Sequence, residues 1–279
     1  LGDVYKRQEM KEDRQDLTTG SIWGKMLFFS IPLMLTNLFQ VLFNMADIAV
    51  IGQFAGSLSL GAVGSTTTLV TLFTGVLIGM AGGINVLVAR YFGAKDKKST
   101  VQTIHTALLV SLGTGVIVLA FGMLFSRWIL EVMNTKEELL EGAVLYIRIY
   151  FLGMPALALY NFGNAVCSAF GDTKKPLYYL SAAGVVNVVL NLFFVIICKM
   201  DVAGVATASI ISQYLSAFLI LRALAKMGGD YALCMSELKF NRRMAKYIIQ
   251  IGLPAGLQNG IFQLANLFIH CLLYTSPSP

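Results

Sequence analysis

The chain has 279 residues, of which 56% are hydrophobic and only 13% charged, and its mean hydropathy is +0.71. Soluble domains carry about a quarter charged residues, so this composition excludes a soluble enzyme or binding module and specifies an integral membrane protein. The formal charge of +6 sits in short segments between apolar stretches, where it sets orientation rather than binding nucleic acid.

The apolar stretches run to about 20 residues or more, enough to cross a bilayer as helices. The alternating ten-residue segments of a β-barrel are not seen in the sequence. Residues 1–9 read as foreign to the rest, with Met10 as a start. Residues 10–25 form a polar cytoplasmic N-terminus in which Trp23 is placed as an interfacial anchor. A six-helix lobe is expected over 26–224, a cytoplasmic linker over 225–246, and a seventh span over 247–270. Residues 271–279 break the pattern and read as foreign again.

The first span, about 26–51, carries Pro32 and the polar set Asn37, Gln40, Asn44 and Asp47. Steps of three, four and three put these four on one helical face, which should line protein or water rather than lipid. Pro32 predicts a kink or hinge, because it donates no backbone hydrogen bond. The second span, about 60–88, is rich in Gly and Thr, which suits close helix packing. The third runs over about 102–125, followed by an amphipathic, net acidic connection. The fourth, expected as one span over about 142–170, contains Pro155 with Tyr160, Asn161 and Asn164. Pro176 marks the break after it. The fifth, about 177–197, places Asn187 and Asn191 one turn apart, and the sixth, about 202–224, includes Thr207, Ser209, Ser212, Gln213 and Ser216.

The seventh span repeats the first. Aligning Pro254 on Pro32 superposes Asn259 on Asn37 and Asn266 on Asn44, with Gln263 one place beyond Gln40 and Ile269 at the position of Asp47. Of the 21 Lys and Arg, 17 fall in segments on the N-terminal side of the spans, which predicts a cytoplasmic N-terminus. Six spans separate the two copies, so both start on the same side and the repeat is parallel. The expected fold is an all-α polytopic membrane protein, the six-helix amino-terminal lobe of a two-lobed parallel-repeat transporter plus the first helix of the second lobe.

Four segments then carry a resemblance: IPLMLTNLFQVLFNMADIAVIGQFAG, LGAVG followed by GMAGGINVLVARYFGAKD, AVCSAFGDTKKP, and VAGVATASIISQ. In order and spacing they resemble the multidrug and toxic compound extrusion family, over about residues 17–270. The resemblance implies twelve spans in two lobes, with the later helices missing here, and antiport of mostly cationic organic compounds against protons or sodium. It implies a cation-coupling role for Asp47, joined by Asn164, Asn187 and Thr207. Many members carry a second carboxylate where this chain has Asn191, which leaves a single-acid site with Asn191 beside it. Asn37, Gln40, Asn44, Tyr160, Asn161, Asn259, Gln263 and Asn266 are the expected cavity-lining set.

Asp47 is the only carboxylate inside a span, and an ionised acid at mid-helix costs about 2.5–3.5 kcal/mol on insertion scales. It is therefore expected to work, either holding a proton or acting with nearby amide and hydroxyl oxygens as a sodium ligand. No nucleophile–base set, metal triad or phosphate loop is present, so the chain is read as a transporter and not an enzyme, with no cofactor beyond the coupling ion. The expected surroundings are a cell membrane, with a small organic, cationic solute as the cargo and the missing second lobe as partner. Two rivals stand: a flippase for lipid-linked sugars from the same superfamily, and a membrane scaffold without transport.

Overall fold

The computed structural model describes residues 22–227, 231, 233 and 238–275. Expectations placed on residues 1–21, on linker residues 228–230, 232 and 234–237, on 276–279, and on the side chains of Trp23, Asn37, Gln263 and Asn266 fall outside the described residues. Eight helices follow in order: α1 Ile22–Phe54, α2 Gly56–Gly93, α3 Lys97–Val132, α4 Glu137–Phe151, α5 Met154–Ala169, α6 Lys174–Leu192, α7 Asp201–Ala225 and α8 Arg242–Thr275. Among the described residues, five of them are long and apolar enough to cross a bilayer, and α4 with α5 passes the same test when the two are taken as one bent span.

The helices exceed the expected spans because their ends continue past the apolar stretch. The α1–α2 turn uses only Ala55, with Gly56 at φ +84° reversing the chain. SRWILEV, expected in a connection, extends α3 to Val132. At the start of α3, Asp96 accepts from the Ser99 backbone N–H at 3.1 Å. Hydrogen bonds from the Ser99 hydroxyl and backbone hold its carboxyl below the usual range.

The fourth span is not one helix. α4 and α5 meet at 46°, and the ladder between them is closed by tighter bonds, Leu152 N–H to Ile149 O and Gly153 N–H to Tyr150 O. Pro155, in the first turn of α5, has no N–H for the Phe151 carbonyl, so the break falls just before it. α7 braces the gap. The Tyr214 hydroxyl donates to Leu152 O at 3.1 Å, and Gln213 Oε1 lies against Gly153 where a side chain would be. Pro176, by contrast, sits in the first turn of α6, where its missing donor costs nothing. The end of α6 widens into a π turn over Phe193–Ile197.

Two apolar clusters hold the bundle. One, near the α1–α2 turn, includes Ile51, Val63, Ile147, Phe151 and Val205. The other, toward the opposite end, includes Ile84, Ile104, Phe162, Ile220 and Ile248. α8 packs most extensively on α2, through glycines spaced by four on both helices: Gly75, Gly79 and Gly83 against Gly252, Gly256 and Gly260. A Cβ on Gly83 would lie 2.7 Å from Gly252 N and Ile248 O, and one on Gly252 would lie 2.8 Å from Met80 Cα. Backbones so close gain dispersion contacts that any side chain would abolish.

Asn241 anchors the start of α8. Its Oδ1 accepts from Arg243 N–H at 3.0 Å and Met244 N–H at 3.4 Å, while its own N–H donates to Thr106 Oγ1 and its amide to Gln102 Oε1. Asn241→Ala should destabilise the docked α8 by about 1 kcal/mol, as for other N-caps. Thermal unfolding in detergent measures this, and Asn241→Gly should cost less.

Candidate functional site

Asp47 is 7% exposed and receives one hydrogen bond on each oxygen. The Asn191 amide donates to Oδ1, and the Ser209 hydroxyl donates to Oδ2 at 3.1 Å. Asn191 also donates to Asn187 Oδ1 at 3.2 Å, and Asn187 donates to Ser209 Oγ at 3.4 Å. The four side chains form a closed ring drawn from α1, α6 and α7. Hydrogen bonds to an ionised carboxylate contribute about 1.5–3 kcal/mol each, offsetting part of the cost of burying it. None of the ion pairs among the described residues reaches Asp47. Asn191 Oδ1 is buried without a partner in the described structure, which leaves one more acceptor beside the carboxylate.

The ring borders a cavity of about 480 Å³. Its polar wall comprises Gln40, Asn44, Asp47, Asn187, Ser209, Ser212, Gln213, Ser216 and Asn259. Phe43, Ile78, Tyr150, Leu157, Tyr160, Leu180 and Phe262 supply apolar and aromatic surface. Among the described residues no Lys, Arg or His lines it, so Asp47 is its single formal charge. A space of this size, mostly apolar with a few convergent polar groups, suits a small organic molecule.

Of the residues singled out from sequence, Gln40, Asn44, Asp47, Tyr160, Asn187 and Asn259 line the cavity, and Asn191 stands behind the carboxylate. Tyr160 also donates to Pro176 O at 3.1 Å. Three residues are placed elsewhere. Asn161 donates to Leu157 O, Asn164 accepts from Ser168 at 3.5 Å, and Thr207 donates to Ala203 O, all within their own helices. Thr207 is two residues from Ser209, about 200° around a helix, so only one of the pair can face Asp47. α1 runs unbroken through Pro32, whose carbonyl accepts from Thr36 Oγ1 at 2.8 Å, about 22 Å along the axis from Asp47. The side chains of Asn37, Gln263 and Asn266 are not among those described.

Ser209, Ser212, Gln213 and Ser216, noted from sequence only as polar residues of the sixth span and not as cavity lining, belong to the wall. Their steps of three, one and three mark a helical face, and that was the available signal. Ser209→Ala removes a bond to the carboxylate and strands the Asn187 donor. It should shift the midpoint for cation protection of Asp47 against a carbodiimide by about tenfold, the equivalent of about 1.4 kcal/mol. Thr207→Ala should leave that midpoint unchanged.

Apolar, membrane-length helices packed around a buried acid and a mostly apolar cavity with a few polar groups define one lobe of a polytopic helical transporter. Residues 32–193 match the MatE family model, and the chain belongs to that family. It is similar to the probable multidrug resistance protein YpnP of Bacillus subtilis, at 31% identity over 249 residues, covering 87% of this chain and 54% of that protein. It is also similar to a FAD transporter of Shewanella oneidensis, at 26% identity, covering 94% of this chain and 59% of that one. Among solved structures, a MATE protein in the bent conformation superposes with a TM-score of 0.81 at 26% identity, covering 87% of this chain and 54% of that chain. The chain spans about half the length of the curated relatives it matches.

Proposed function

We propose that this chain is the amino-terminal lobe, with the first helix of the second, of an antiporter that exports small cationic or neutral organic compounds against protons or sodium. The observation that carries this reading is Asp47: buried, held by Asn191 and Ser209, and the one charge among the described residues on the wall of a solute-sized cavity. A buried carboxylate without a basic neighbour in the described structure is stabilised by a proton or a metal cation, and a cationic solute in the same cavity competes for that charge. Binding of one then favours release of the other.

The distribution of Lys and Arg supports a cytoplasmic N-terminus in a cell membrane. On that orientation, inward movement of one positive charge releases about 2.3 kcal/mol per 100 mV. An anionic cargo such as a lipid-linked pyrophosphate calls for Arg or Lys near mid-membrane, and the cavity wall offers none. Alternating access needs two lobes moving about a central site, so this chain alone should not transport.

The test is efflux of a cationic dye by the complete two-lobed protein in proteoliposomes, with pH and sodium gradients imposed separately. One gradient alone should drive uphill efflux. Efflux indifferent to both would rule out ion coupling.

A further inference from the structure

A second, smaller cavity of about 60 Å³ adjoins the first at Asp47, between α1, α2 and α4. Thr66, Thr67 and Tyr146 line it alone, whereas Asn44, Asp47, Val70, Thr71 and Tyr150 also belong to the wall of the larger cavity. Asp47 therefore faces two spaces of different size and chemistry.

The small space has room for a few waters and about an eighth of the volume of the larger cavity. Its threonines are turned to one purpose. Thr66 donates its hydroxyl proton to Val63 O at 2.7 Å, Thr67 donates to the same carbonyl at 3.3 Å, and Thr71, which lines both cavities, donates to Thr67 O at 2.8 Å. With their protons committed to the helix backbone, these hydroxyls present only lone pairs to the cavity. Lone pairs beside a carboxylate fit a small cation or water, and repel an anion.

Its depth is also distinct. Asp47 is seven residues from the end of α1, Thr67 eleven from the start of α2, and Tyr146 nine from the start of α4, so all three lie roughly 10–16 Å below the end of the bundle where α1 turns into α2. The larger cavity reaches further, to Leu180 and Ser216 on the opposite halves of α6 and α7.

We infer that the space between α1, α2 and α4 is a side chamber that brings the coupling cation to Asp47 from the α1–α2 end, apart from the cavity that holds solute. This rests on the reading of Asp47 as the coupling acid. The chamber admits a proton along its water, or a sodium ion stripped to a few ligands, and gives it to the carboxylate from the side of Thr66, Thr67 and Tyr146. Ion and solute then compete for one charge without having to pass each other.

The experiment uses the chain in lipid nanodiscs and follows modification of Asp47 by dicyclohexylcarbodiimide after a rapid rise in pH or in sodium chloride. The unsubstituted chain should become protected after one of these jumps; no protection by either would overturn the coupling reading itself. Thr67→Phe fills the chamber. It should slow the onset of protection about tenfold or more, leave the equilibrium midpoint within about twofold, and leave ethidium binding in the larger cavity unchanged, a tenfold rate effect being about 1.4 kcal/mol of barrier. Leu180→Trp should lower ethidium binding without slowing the onset. To separate plugging from misfolding, Thr67→Cys in a background with the four native cysteines replaced by Ser can be blocked after folding with benzyl methanethiosulfonate and freed with dithiothreitol. Block should slow the onset and release should restore it. An unchanged onset in the blocked protein, or an equal delay in Leu180→Trp, overturns the side chamber while leaving Asp47 as the coupling acid.

Discussion

Asp47→Asn should reduce ion-driven efflux by the complete two-lobed protein about a hundredfold or more, while the protein remains folded and inserted. The substitution keeps the shape of the side chain and removes its charge. A cation about 4 Å from a carboxylate gains about 4 kcal/mol at an effective dielectric of 20, nearly three decades of affinity, and an amide returns little of it. The fold loses far less. Asn191 and Ser209 now donate to the two carboxylate oxygens. With one amide oxygen in their place, Asn191 keeps its acceptor and the Ser209 hydroxyl rotates to accept instead, at a cost of about 1 kcal/mol or less. Efflux of a cationic dye, measured beside a thermal unfolding curve in detergent, separates the two effects. Retained efflux would make Asp47 a structural acid, and a collapsed melting curve would make it a structural keystone.

The second large effect belongs to the glycine ladder. Gly79→Leu should undock α8 from α2, because a Cβ at that position falls inside the van der Waals radii of Gly256 N and Cα, and backbone atoms of a helix cannot step aside. Overpacking of this kind costs about 1–3 kcal/mol and more when backbone must move. The unfolding midpoint should fall by several degrees, with Gly79→Ala intermediate. Gly64→Ala and Gly82→Ala are the controls, since a Cβ at either meets nothing within 4 Å, and both should be neutral. A neutral Gly79→Leu would mean that α8 is held by its capped end at Asn241 and not by the ladder.

The ladder shows where reading a sequence reaches its limit. The glycines of the second span were visible, and so was their fitness for close packing. Their partner was not, because Gly252, Gly256 and Gly260 lie about 170 residues away and only packing chooses which helix faces which. The broken fourth span has a similar origin. Pro155 announces a weakened ladder, yet a proline-containing helix either bends gently or separates. Here Tyr214 and Gln213 of α7 occupy the gap at Leu152 and Gly153 and hold it open.

What the amino-acid sequence determined by itself was the membrane, the all-helical class, the lone acid and the repeat of the first span in the seventh. Each follows from composition or from periodicity along one helix, and a single helix carries that information in its own residues. What only the tertiary structure decided was the company of the acid. Ser209 rather than Thr207 reaches Asp47, Asn191 rather than Asn164 bonds to it, and a second small space opens beside it. Those outcomes depend on how far each helix is rotated about its axis against its neighbours, which is set by side chains packing across the bundle and written in no one segment.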